Sequence, residues 1–93
     1  MDKSTFNVTA LEGNNYATWK IQVKMLLMKE NLYGIVEGKE AAPAATDEKG
    51  LKDFNARKDR ALVIIVLSIS AKLLYIIGDP DDPKKVWEKL RDT

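Results

Sequence analysis

An all-α fold, a small bundle of four to five helices preceded by an extended N-terminal arm, is what this sequence predicts, and three observations predict it. Apolar residues recur at helical spacing after Tyr16, after Leu51 and after Val86. No Gly or Pro occurs between Gly50 and Gly78, so nothing breaks a long helix there. Helix start and stop residues separate the periodic segments. With 93 residues the chain makes one domain, residues 1–93, which buries roughly 60–65% of the surface its unfolded form exposes.

Residues 1–13 form the arm. Phe6, Val8 and Leu11 are spaced irregularly, so an extended segment lays one or more of them on the core. Gly13 permits backbone angles other residues avoid, and Asn14 or Asn15 can cap the first helical turn. The first helix runs from Asn15 to about Glu30. Tyr16, Trp19, Val23, Leu26 and Leu27 make one apolar stripe, and Ile21, Met25 and Met28 a second. A helix apolar around so much of its circumference sits between two neighbours, inside the domain or in an oligomer.

Asn31 interrupts this helix. Leu32 to Val36 is a short turn or helix closed by Gly38, and residues 39–45, with Pro43 and no periodicity, are a surface loop. Thr46, Asp47 and Glu48 make a helix start with carboxylates favourable to the dipole. The segment Ala61 to Leu67 is rich in β-branched residues and resembles a buried strand by propensity. Leu51, Phe54, Lys58, Ala61, Leu62 and Ile65 nevertheless keep helical spacing, so one helix is expected from about Asp47 to Leu67, with its all-round apolar end at the domain centre. Ser68 or Ser70 caps a further short helix, Ala71 to Ile77, stopped by Gly78. After a turn at 79–83, Asp82 caps and Pro83 opens a final helix with Val86, Trp87 and Leu90. That helix is expected to run on to Thr93, as in a fragment of a longer helical region.

The composition narrows the function. Fifteen basic and fourteen acidic residues leave a net charge of +1, which is no electrostatic footprint for nucleic acid. The absence of Cys and His removes disulfides, thiolate and imidazole metal sites and most nucleophile–base pairs, and leans towards a reducing cytosolic compartment. The glycines stand singly, so no phosphate loop exists. Asp79, Asp81 and Asp82 lack the alternation and terminal Glu of a calcium loop and read as a capped turn. Lys20, Lys24 and Lys29, and Lys49, Lys52, Arg57, Lys58 and Arg60, are interleaved with acids and read as solvated faces rather than an RNA groove. The longest apolar run, Ala61 to Leu67, falls far short of the roughly 20 residues that cross a bilayer. Residues 1–5 hold no apolar signal core, and no Gly follows Met1 for myristoylation. No enzyme, cofactor, metal or membrane association is therefore expected, and Trp19 and Trp87 read as core anchors.

The order of the motifs is more specific than any one of them. Leu11-x-Gly13-x-Asn15-Tyr16-x-x-Trp19 is followed by an amphipathic helix, by L-Y-G-I-V-E-G (32–38), by A-R-K-D-R-A-L-V-I-I-V-L-S (56–68) and by D-P-K-K-V-W-E-K-L (82–90). This arrangement resembles the N-terminal part of the Gag polyprotein of copia-type LTR retrotransposons, over nearly all of the chain from Leu11 to Leu90. The resemblance implies a capsid N-terminal-domain-like subdomain of a mobile element, or of a host gene derived from one. It implies self-association into a cytoplasmic virus-like particle, with RNA held through other Gag segments. The positions matching the family pattern are Gly13, Asn15, Tyr16, Trp19, Val86, Trp87 and Leu90. Because one small domain has few elements with which to cover every apolar stripe, Met25 and Met28, then Leu90, are the expected contacts between copies. The alternative is a helical adaptor that takes a partner helix or peptide into an apolar groove.

Overall fold

The computed structural model describes residues 8–92, and these described residues run through five helical elements. They are α1 (Tyr16–Lys29), α2 (Tyr33–Glu37), α3 (Glu48–Leu67), a 3₁₀ helix (Ala71–Ile76) and α4 (Pro83–Arg91). No strand occurs among the described residues beyond a single parallel bridge between Leu11 and Ile69. Residues 1–7, Phe6 among them, lie outside the described residues; in the described part of the arm Val8 packs against the core. Leu11 is buried, its N–H donates to Ser68 O at 2.9 Å, and its carbonyl accepts from Ser70 N–H at 3.0 Å.

Helix α1 starts where expected but by a different device. The Asn15 side chain does not cap the first turn: its Oδ1 accepts from Glu12 N–H at 2.9 Å and its Nδ2 donates to Ala10 O at 3.0 Å. It fastens the arm to the helix entry instead, over the turn that Gly13 makes at φ +102°. At the other end Asn31 adopts φ +62°, and the Leu32 N–H reaches back to Leu27 O at 2.8 Å. A short polar side chain tolerates that left-handed conformation better than a bulky one.

Helix α2 is a single five-residue stretch ended by Gly38 at φ +78°. The left-handed backbone angle is what demands glycine there; a Cβ at position 38 would meet Lys84 Cε at 2.5 Å, the movable end of a flexible side chain. Helix α3 is capped by Asp47, whose Oδ1 accepts from Gly50 N–H at 3.0 Å. It continues unbroken through Ala61 to Leu67, where tertiary packing overrides β propensity. Its end is not surrounded, however. Helices α1, α2 and α4 all pack on α3 and bury Phe54, Ala61 and Ile65, while Val63 and Leu67 remain 52% and 79% exposed. Three short neighbours on one side cannot close round a 20-residue helix.

The segment after α3 winds as a 3₁₀ helix rather than an α-helix, beginning with an i→i+3 bond from Leu73 N–H to Ser70 O at 2.8 Å. Neither serine caps it; the Ser68 hydroxyl is engaged by Ile65 O and Trp19. Asp82 caps α4 through Lys84 N–H at 3.0 Å, with Pro83 at the first position. That helix stops at Arg91 with Asp92 as its cap, short of the expected run to Thr93, which itself lies outside the described residues. The core gathers Trp19, Val23 and Leu27 from α1, Leu32 and Val36 around α2, Ala61 and Ile65 from α3, and Val86, Trp87 and Leu90 from α4. Fully burying each larger member stabilises the fold by roughly 1.5–3 kcal/mol.

Candidate functional site

The family-pattern residues converge. Tyr16 stacks on Trp19 with ring centroids 5.8 Å apart, Trp19 on Trp87 at 5.5 Å, and Trp87 meets the edge of Tyr33 at 6.1 Å. This run of four rings ties α1 to α4 and α2. The Trp19 indole N–H is satisfied by Ser68 O at 3.0 Å and Ser68 Oγ at 3.1 Å, which adds the end of α3 to the same knot. Burial raises the Tyr33 hydroxyl above its ordinary pKa, aided by the Glu37 carboxylate beside it. Gly13 and Asn15 shape the arm turn that leads into the cluster, and Val86 and Leu90 lie in the core beside it. Trp19 and Trp87 are thus core anchors, and the family positions describe a packing unit.

The surface of interest is the opposite side of α1. At about 100° per residue, Ile21, Met25 and Met28 fall within an arc of about 60°, diametrically opposite Trp19, Val23 and Leu27. They are 62%, 50% and 52% exposed. The second apolar stripe of α1 therefore has no cover among the described residues of the chain. Leu90 corrects the expectation placed on it. At 5% exposure it belongs to the core, because Pro83, Val86, Trp87 and Leu90 form the inward face of α4. Val63, Leu67, Leu74 and Tyr75 are the large exposed apolar residues that sequence reasoning missed. Helical spacing placed Val63 and Leu67 in a stretch apolar on every side, with nothing local to mark which side stays uncovered.

The basic residues are largely occupied within the chain. Arg57 makes a bidentate contact with Glu40, at 2.6 and 2.9 Å, and donates also to the Asn31 carbonyl. It clamps the end of α1 and the 39–45 loop to α3. Hydrogen bonds from Arg57 hold the Glu40 carboxyl below its ordinary range, and Glu40 in turn raises the Arg57 guanidinium. Arg60 pairs with Glu30 at 3.3 Å, and Lys24 lies over the Tyr33 ring, 5.4 Å from its centroid.

Among the described residues no group of three or more His, Cys, Asp or Glu side chains is placed to hold a metal ion, and no helix is long and apolar enough to cross a membrane. An apolar cleft of about 170 Å³ opens between the arm and α4, lined by Leu11, Gly13, Tyr16, Leu73, Ile76 and Leu90. It is smaller than the roughly 300–1,000 Å³ of a typical small-molecule site. No protein-family model, curated protein or solved structure matches this chain.

Proposed function

We propose that this chain is a non-enzymatic capsid subdomain of copia-type Gag that self-associates to build a virus-like particle in the cytoplasm. The observation that carries the reading is the apolar stripe Ile21, Met25 and Met28, which the described residues leave exposed on the outside of the first helix. Methionine is unbranched and polarizable, and suits a surface that must repack against another. The ordered motifs from Leu11 to Leu90 supply the family part of the reading. The engagement of Arg57 and Arg60 within the chain favours leaving RNA to other Gag segments. For the adaptor alternative, the cleft beside the arm accommodates a side chain rather than a helix, and the larger hollow of about 480 Å³ along α3 is open and bordered by the charged Glu48, Lys52 and Asp59.

Each contact is weak on this account, because three side chains cover far less than the roughly 800 Å² per partner of a stable interface. A shell assembles from many such contacts. Sedimentation velocity over a concentration series tests this. The apparent mass should rise above 10.5 kDa as concentration approaches millimolar. A protein that stays monomeric throughout would overturn the reading.

A further inference from the structure

The exposed stripe on α1 has two possible counterparts in a second copy: the same stripe, or a different surface. The charges beside it separate the two. Between Tyr16 and Lys29 there are three lysines and no carboxylate. Lys24 borders Met28 on one side and Lys29 borders Met25 on the other, each about 40° round the helix. Two α1 stripes face to face would bring four of these lysines together, offset only by Glu30 at the end of each helix, which Arg60 already shares.

A second uncovered helical surface, on α3, has the complementary character; the exposed Leu74 and Tyr75 of the 3₁₀ helix form no such long row. On α3, Asp59, Val63 and Leu67 form an i, i+4 row on the side facing away from Ala61 and Ile65. Asp59 is exposed and makes no ion pair among the described residues. Of the two cations that flank it, Arg60 is engaged by Glu30, and Lys58 falls about 100° round the helix towards the Ala61 and Ile65 side. The last turn of α3 holds no basic residue, so the negative end of its dipole is uncompensated there.

We infer that α1 of one copy docks antiparallel on α3 of the next through these two rows, a head-to-tail contact that rests on the self-association proposed above. The spacing allows one register in which every step matches. Ile21 meets Leu67 of the next copy, Met25 meets its Val63, and Lys29 meets its Asp59. Both rows advance by four residues and both span about 12 Å. Rows at i, i+4 are the ridges that interdigitate in the commonest class of helix packing. The antiparallel sense also sets the N-terminal half of α1, which has no acidic residue in its first turn, beside the negative end of α3. Lys29 keeps its contacts within its own chain, Glu30 at 3.6 Å among them, and Asp59 of the next copy adds a carboxylate to these. Because the two surfaces differ, each copy keeps one free after docking. Association then propagates from copy to copy instead of closing at a two-fold dimer.

Mixing two blocked variants tests the contact. Met25→Glu disables the α1 row and Val63→Glu the α3 row, both at exposed positions where circular dichroism should show an unchanged fold. Ile21→Glu and Leu67→Glu form a second pair should either of the first two unfold. Each variant alone should sediment as a monomer to millimolar concentration. Their equimolar mixture should form a 1:1 species of twice the 10.5 kDa chain mass and nothing larger. Charge reversal tests the register: Lys29→Asp and Asp59→Lys should each weaken association about two- to fivefold, and a chain carrying both should recover it. Wild-type protein that associates while Val63→Glu associates equally well would overturn the α3 docking and leave α1 pairing with itself. A mixture that stays monomeric, or a double charge variant no better than the singles, would also refute the contact. Wild-type protein that never associates would remove the reading on which it rests.

Discussion

Replacing Trp19 with alanine should remove a large part of the stability of this domain. The indole is fully buried, in contact with the rings of Tyr16 and Trp87, and its N–H is satisfied at the end of α3. Substituting a buried tryptophan by alanine costs about 3–5 kcal/mol, at the upper end where surrounding elements cannot collapse into the space. Here α1, α4, the arm and the end of α3 all border it. At 0.05–0.15 kcal/mol per residue the whole domain holds roughly 5–14 kcal/mol, so Trp19→Ala consumes much of the total. Trp19→Phe removes the hydrogen bond together with part of the indole, and leaves a smaller void than alanine does. The Ser68 carbonyl keeps its second donor, Leu11 N–H at 2.9 Å, and is not left unsatisfied. The phenylalanine variant should therefore lose only about 1–2 kcal/mol. Urea unfolding followed by far-UV circular dichroism measures both, with slopes compared to confirm that the unfolded reference is unchanged. A Trp19→Ala protein within about 1 kcal/mol of wild type would refute the claim that this ring run organises the core.

Protonating Glu40 should loosen the Arg57 clamp. Its folded pKa is depressed, so the stabilisation is present at neutral pH, above the unfolded value, and is lost as pH falls through the folded one. With both partners partly exposed the loss should stay under about 1 kcal/mol, and Glu40→Gln should abolish that acid dependence of the urea midpoint. Met25→Glu and Met28→Glu should leave the unfolding midpoint within about 0.5 kcal/mol of wild type, since both side chains are already half in water. A large loss of stability would place them in the core. RNA binding by this chain should be no tighter than the non-specific range of roughly 10⁻⁴–10⁻⁶ M at physiological salt, as measured by fluorescence anisotropy. Sub-micromolar, strongly salt-dependent binding would make the basic residues of α3 functional.

The helices were legible in the sequence because their signals are local. Asp47, Asp82 with Pro83, Asn31 and Gly38 mark ends through their own chemistry, and uninterrupted helical spacing carried α3 through a β-branched stretch. What was hidden depends on residues far apart in the chain. Ser68 meets Trp19 across 49 residues and Arg57 meets Glu40 across 17, and no local pattern predicts either pairing. Tyr33 joined the ring run without notice because its own helix is one turn long. Leu90 was misplaced for a related reason. An amphipathic helix shows that one face is buried, but only the packing of α4 against α2 and α3 shows that this face is spent inside the domain. The α1 stripe was half legible: its spacing showed two apolar faces, and the fold decided which of them stayed open.

The most direct test of self-association is the concentration dependence of backbone amide chemical shifts across the whole chain. Between micromolar and millimolar protein, changes should be confined to the outer side of α1 around Ile21, Met25 and Met28 and to α3 from Asp59 to Leu67, with the buried ring run around Trp19 unmoved. Spectra that superimpose at every concentration, or changes that fall elsewhere on the molecule, would contradict that self-association.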